Sequence, residues 1–257
     1  MRLDRFLCEA GIGSRSEVKK EIRAGYVTVN EKIEKSADCQ VSVEDKILLR
    51  GQSCVLEPFF YLMMNKEAGF VTAISDTRQP TVMDPLKITA EAQGIRLRDI
   101  APVGRLDKDS EGLLLFTNDG QLVHKLLSPK YHVQKCYLVH LRTPLTKEAI
   151  TRLENGVEIG DEHPTLPACV ELLSDTQMKL TICEGRFHQV KRMVAAVGSE
   201  VVYLRRVSFG PIPLDETLKP SATRRLTVSE IESLRMCVTD IERNTAKEKR
   251  STNNVAG

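Results

Sequence analysis

The sequence predicts an α+β protein in which strands dominate and a small N-terminal unit precedes a larger one. Two observations carry that reading. From residue 60 onward, short segments of alternating or continuous apolar residues recur between turn residues, with only a few segments of helical period among them. Before residue 58 the texture differs, with two helical stripes ending at Gly11 and Gly25 and then short strand-like runs. The length of 257 residues suits one large domain or a modest pair, and 41% hydrophobic with 28% charged residues is an ordinary globular composition.

In the N-terminal unit, Leu3, Phe6, Leu7 and Ala10 recur at helical spacing. Ser14 and Glu17 form an S-x-x-E capping box that opens a second helix. Residues 26–33 alternate as a short hairpin would, and 41–49 reads as a further strand. The Glu57-Pro58 step marks a linker, so the expected domains are 1–58 and 59–238, with a polar, disordered tail over 239–257. In the larger domain the expected strands are 60–65, 113–117, 136–141, 168–173, 179–183 and 201–207, and the expected helices are 120–127, 147–155, 187–197 and 228–234. No internal repeat with a period of about 20 to 50 residues is visible.

No apolar run reaches the roughly 20 residues that cross a bilayer, and the opening Met1-Arg2-Leu3-Asp4-Arg5-Phe6 lacks the order of a signal peptide, so a cytoplasmic protein without a membrane partner is expected. The seven cysteines are scattered and never form a C-x-x-C pair, which speaks against a disulfide framework and a zinc site. Net charge is +2, which read alone disfavours a polyanionic partner. Its distribution reverses that: residues 120–147 hold five Lys or Arg and no acid, and 185–206 hold five against Glu200, while 148–175 carry seven acids against Arg152.

Three clusters concentrate the chemistry. The first is Gly104-Arg105-Leu106-Asp107-Lys108-Asp109-Ser110-Glu111-Gly112-Leu113, at a loop-to-strand junction. Asp107, Asp109, Glu111 and Gly112 imitate the start of a calcium-binding loop, but Asn118 stands where the bidentate Glu belongs and an apolar strand replaces the exiting helix. A solvated loop with internal Arg–Asp pairing is the competing plain reading. The second cluster, Glu184-Gly185-Arg186-Phe187-His188-Gln189-Val190-Lys191-Arg192-Met193, runs from a strand into a helix. At about 100° per residue Phe187, Val190, Met193, Val194 and Val197 form its buried stripe, with Lys191 on the stripe's edge and Arg192 nearly opposite. An edge cation needs a partner, and an inward carboxylate such as Asp107 suits Lys191. In the third, Lys135-Cys136-Tyr137-Leu138-Val139, alternation puts Lys135, Tyr137 and Val139 on one face, and tyrosine offers both a flat apolar face and a hydroxyl. A further feature is the trio Arg15, Lys19 and Arg23, four apart on one helix face, which reads in isolation as solvated and offset by Glu17 and Glu21.

Together and in order, the Gly104-Arg105-Leu106-Asp107, Lys135-x-Tyr137 and Glu184-to-Met193 segments resemble the RNA pseudouridine synthases, in the branch that contains the ribosomal small-subunit enzymes. The N-terminal unit is similar to the alpha-L, or S4-like, RNA-binding domain. The resemblance spans roughly residues 1 to 236. It implies a catalytic domain built on a mixed, mainly antiparallel sheet with flanking helices, and an isomerisation of uridine in ribosomal RNA without metal or organic cofactor. It assigns Asp107 as the essential carboxylate, Tyr137 as the residue that stacks on the base and aids proton handling, and Lys191 as the basic partner of the aspartate, a position where members carry Arg or Lys. Asp109 is left as a loop residue.

Residue chemistry agrees with those assignments. Breaking a glycosidic bond needs an ionised carboxylate near the sugar, and a nearby cation favours that form. Extracting one base from an RNA stack costs a few kcal/mol and leaves a gap to be filled, a role the resemblance gives to Arg105. Arg186, His188, Gln189 and Arg192 are expected to line an RNA-facing rim, and Arg15, Lys19 and Arg23 to face RNA as well. The expected partner is ribosomal RNA or an assembling ribosomal subunit, most simply met by a monomer. A 16S uridine is the expected target, with a 23S target or a non-catalytic RNA-binding assembly factor as the alternatives.

Overall fold

A computed structural model describes residues 1–55, 59–92, 97 and 100–239 of the protein. The Glu57-Pro58 step and residues 240–257 of the tail lie outside the described residues. The chain divides into two compact units between Phe59 and Phe60.

The first unit opens with α1 (Leu3–Glu9) and α2 (Arg15–Arg23). Ser14 caps α2: its hydroxyl accepts from the Glu17 N–H at 3.4 Å while the Glu17 carboxylate accepts from the Ser14 N–H at 2.8 Å, a reciprocal box that satisfies two otherwise orphaned donors. Strands β1 (Val27–Val29), β2 (Lys32–Ile33), β3 (Ile47–Leu49) and β4 (Gln52–Ser53) follow and form an antiparallel sheet of order β2-β1-β3-β4. Leu3, Phe6, Leu7, Val18, Ile22 and Val27 make its core. The strand expected over 41–49 is shorter, because Val41 turns into the core and the Asp45 carboxylate accepts from the Ser42 N–H, closing a turn before β3.

The second unit contains β5 (Tyr61–Lys66), α3 (Met83–Ala92), β6 (Ala101–Pro102), β7 (Glu111–Thr117), α4 (Gly120–Leu127), β8 (Lys135–Leu141), α5 (Lys147–Asn155), β9 (Cys169–Ser174), β10 (Gln177–Ile182), α6 (Gln189–Ala196), β11 (Val201–Phe209), β12 (Ile212–Pro213), β13 (Thr223–Arg225) and α7 over 228–239. Its strands form one mixed sheet of order β13-β5-β7-β11-β8-β10-β9, with β6 added to β7 and β12 to β11. The pair β7–β11 is parallel and the other pairings are antiparallel. Helix α3 is not among the helices expected from the sequence. Pro85 sits in the first turn, where its missing N–H has no intrahelical partner to lose.

The central strands are apolar on both sides, so alternation distributes their residues between two cores. Leu62, Met64, Leu114, Phe116 and Val139 pack on one face beneath α3, α5 and α6. Met63, Leu113 and Leu115 pack on the other, beneath α4 and α7. The site described next lies where the loop between β6 and β7 meets the start of α6.

Candidate active site

The loop 103–110 is held in shape by groups beneath it rather than by its own carboxylates. Lys66, at the end of β5 and only 1% exposed, directs its ammonium at the carbonyl oxygens of Asp107 (3.0 Å), Ser110 (2.7 Å), Glu67 (3.2 Å) and Lys108 (3.4 Å). Burial pushes this ammonium down to about 8, against which the nearby carboxylates of Asp107, Asp109 and Glu111 act. The Thr72 hydroxyl donates to the Leu106 carbonyl at 2.6 Å and accepts from the Leu106 N–H at 3.2 Å, and the Gly69 N–H donates to the Lys108 carbonyl at 2.7 Å. Backbone around Asp107 is therefore fixed on both sides.

The Asp107 carboxylate meets the start of α6. Its Oδ2 lies 3.1 Å from Lys191 Nζ, and its Oδ1 lies 3.5 Å from His188 Nε2. Lys191 also bonds Asp109 Oδ1 at 2.6 Å. Burial alone would lower the Lys191 ammonium, but the hydrogen bonds to Asp109 and Asp107 outweigh it and hold the group above its ordinary value. The same bond from Lys191 holds the Asp109 carboxyl below its usual range. Asp109 is thus more than the loop residue the sequence suggested: it shares the ammonium that faces Asp107.

A cavity of about 440 Å³ opens beside this group, lined among others by Arg105, Asp107, Tyr137, Phe187 and His188. That volume falls within the range of about 300 to 1,000 Å³ usual for small-ligand pockets. Tyr137 stands on β8 with its ring buried, and Arg105 is exposed at the mouth with no ion pair among the described residues. The structure therefore brings Arg105, Asp107, Tyr137, His188 and Lys191 together from segments far apart in sequence.

Three residues expected at the rim are bonded within the protein. Gln189 is 4% exposed, donates to Glu184 Oε1 at 2.8 Å and accepts from the Arg186 N–H at 2.8 Å. Arg186 spends its guanidinium on Glu184 (3.0 Å) and on the carbonyls of His163 (2.6 Å) and Pro164 (2.8 Å). Arg192 bonds the Ile159 carbonyl and Asp161. The 159–164 segment offers the Asp161 carboxylate and the carbonyls of Ile159, His163 and Pro164, which take up the donors of both guanidinium groups. Arg186 and Gln189 still border the cavity, whereas Arg192 is not among its lining residues. Phe187, expected in the buried stripe, is 72% exposed and stacks on His188 with ring centroids 3.9 Å apart. The reason is local: His188 is left-handed at φ 49°, so α6 begins only at Gln189 and the helical register does not include Phe187.

In the other unit, Arg15 and Arg23 are exposed on α2 without an ion pair among the described residues, and Lys19 lies 3.7 Å from Asp4. Sequence reasoning missed Lys66, Ser110 and Arg206 as site residues. Arg206 lines the cavity at 1% exposure, and its signal was available as a cation in buried phase with Leu204 along β11. Among the described residues no group of three or more His, Cys, Asp or Glu is placed to hold a metal ion, and no helix is long and apolar enough to cross a membrane.

Comparison with known proteins places this geometry. Residues 60–196 match the family model for RNA pseudouridylate synthase, and residues 1–47 match the S4 domain. An uncharacterized RNA pseudouridine synthase of Bacillus subtilis, YtzG, is 45% identical over 239 residues, covering 91% of this chain and 98% of that protein. The ribosomal small subunit pseudouridine synthase A of Escherichia coli is 39% identical over 236 residues, covering 91% of this chain and all of that protein. A crystal structure of a pseudouridylate synthase superposes with a TM-score of 0.63 at 40% identity, over 91% of this chain and 99% of that one. With the carboxylate, the buried tyrosine and the cavity already in one place, these matches settle the family: the chain belongs to the RNA pseudouridylate synthases and carries an S4 domain at its N-terminus.

Proposed function

We propose that this chain isomerises a uridine of small-subunit ribosomal RNA to pseudouridine, with Asp107 as the essential carboxylate. The observation that carries the reading is the Asp107 carboxylate, paired at 3.1 Å with Lys191 on a loop clamped from below, at the edge of a cavity that also contains Tyr137. In this reading Tyr137 stacks on the extracted uracil and aids proton handling, while Lys191 holds the carboxylate in place. Arg105, exposed at the mouth, fills the gap left in the RNA. His188 faces the same carboxylate and serves the substrate side of the rim. Arg186 and Arg192 shape that rim through the 159–164 segment, and Gln189 through Glu184. Residues 1–58 form the RNA-binding domain, with Arg15, Lys19 and Arg23 toward phosphates, and residues 59–238 the catalytic domain. The substrate is ribosomal RNA or an assembling subunit, the working form is the monomer, and the compartment is the cytoplasm.

The relatives named for the small subunit favour that RNA over the large-subunit one. The test is pseudouridine mapping of ribosomal RNA from cells with wild-type chain, no chain, and Asp107→Asn. Loss of one small-subunit pseudouridine in the latter two, with RNA binding by the variant retained, is expected. Product formed normally by the Asp107→Asn chain would sink the assignment, and loss of a large-subunit site would move the target.

A further inference from the structure

The floor of the cavity holds cations that the reading above leaves without a role. Arg206 on β11 is 1% exposed, and its guanidinium is bonded through Nε to the Leu113 carbonyl at 2.8 Å while Nη2 has no hydrogen-bond partner among the described residues. Lys135 on β8 is 7% exposed, and its ammonium donates to the Val133 carbonyl at 2.9 Å. Neither makes an ion pair among the described residues. The Ser110 hydroxyl is likewise buried and unpartnered, and all three residues line the same cavity as Asp107. Arg206 is the direct cross-strand neighbour of Tyr137, and Lys135 lies two residues from Tyr137 on the same face of β8.

Two buried cations that each lie 5.3 Å from the Phe209 ring centroid, with no ion-paired carboxylate among the described residues, are costly, because desolvation and mutual repulsion add. That cost shows in Lys135, whose ammonium is pushed down to about 8 by burial and then by Arg206. Such an arrangement has a purpose when a ligand brings oxygen atoms and negative charge to it.

We propose that Arg206 and Lys135, with the Ser110 hydroxyl, form a base-binding floor that takes the carbonyl-oxygen edge of the target uracil and holds it most tightly while the base is anionic. The inference rests on the isomerase reading. In that reaction the N1–C1′ bond breaks with its electron pair left on N1, and the charge spreads onto the ring carbonyl oxygens. When C5 bonds C1′, the C5 proton leaves and N1 takes one up, so the base is anionic only between those events. A fixed cation floor is then complementary to the detached base rather than to the neutral one, which places its effect on the rate rather than on RNA affinity. It also keeps the base from leaving while it turns.

The experiment is single-turnover isomerisation of target RNA by the full chain, with RNA affinity measured separately. Arg206→Gln and Lys135→Met are each expected to slow the reaction by about 100-fold or more while RNA Kd stays within about threefold. A folded variant that retains the wild-type rate overturns the proposal. An equal loss in Kd, with a salt slope smaller by about one, overturns it too, because the cation then holds a phosphate. Since a buried substitution can fail to fold, the wild-type chain is also assayed on RNA carrying 2-thiouridine or 4-thiouridine at the target. Sulfur accepts hydrogen bonds weakly. At least one thio substrate is expected to react about tenfold more slowly at unchanged Kd, and wild-type rates on both would overturn the proposal. Wild-type chain that forms no pseudouridine on unmodified RNA would instead remove the isomerase reading itself.

Discussion

Adding one methyl group at Gly112 should dislodge the central strand pairing and the active-site floor together. Gly112 lies in β7 at φ +98°, and a Cβ there would stand 2.3 Å from the Arg206 carbonyl oxygen and 2.8 Å from the Arg206 nitrogen. Those are backbone atoms of β11, which pairs in parallel with β7 through Gly112 and Arg206, so they cannot rotate away as a side-chain tip would. The strained backbone costs about 1–3 kcal/mol. Relieving the overlap requires β11 to shift by about an ångström, at about another 1–3 kcal/mol for displaced packing and weakened pairing. Gly112→Ala is therefore expected to destabilise the second unit by about 4 kcal/mol, which at roughly 2–4 °C per kcal/mol lowers its melting temperature by about 8–16 °C. The assay is thermal denaturation followed by circular dichroism on the full chain. A melting temperature within about 2 °C of wild type would refute the reasoning, because it would mean that β7 and β11 do not approach as closely as the register requires. Whatever fraction folds should isomerise slowly, since Arg206 moves with its backbone.

Stability should rise between pH 7.5 and 9. Lys66 and Lys135 are both pushed down to about 8 from an ordinary 10.5, so across this window the unfolded chain binds more protons than the folded one, and raising the pH favours folding. The two together contribute on the order of 2 kcal/mol in urea unfolding, and Lys135→Met should remove about half of the slope. Above about pH 10.5, the ordinary lysine value, the ammonium groups add nothing more and the effect reverses, because burial raises the Cys54 and Cys183 thiols and the Tyr61 and Tyr203 hydroxyls, the latter two to about 12. A steady fall in stability from pH 7.5 to 9 would contradict the burial of both ammonium groups. In the N-terminal unit, replacing Arg15, Lys19 and Arg23 together by Glu should weaken ribosomal RNA binding and flatten its salt dependence by about two to three in slope. Unchanged affinity and slope would make that helix face merely solvated.

Much of this architecture is legible in the chain because its signals are local. The Ser14–Glu17 box, the stripes of α4 and α5 and the apolar runs of β5, β7 and β8 each follow from neighbours within a few residues. Asp107, Tyr137 and Lys191 were legible as an ordered set of motifs. The signals failed where a single backbone angle or a distant segment decides. The left-handed His188 excludes Phe187 from α6, and the 159–164 segment holds the Arg186 and Arg192 guanidinium groups in bonds that their positions in the chain do not show.

By itself the sequence determined two units of α+β texture and the basic segments that suit RNA, because periodicity, capping and charge distribution depend on spacing along the chain; its ordered motifs carry the resemblance that makes Asp107, Tyr137 and Lys191 the candidates for the chemistry. Only the tertiary structure decided what surrounds those residues. That Lys66 clamps the Asp107 loop from below, that Asp109 shares Lys191, and that Arg206 lies beside Tyr137 are consequences of which strands become neighbours. Desolvation and cross-strand contact are properties of the assembled sheet, and they make Arg206 a buried cation that lines the cavity.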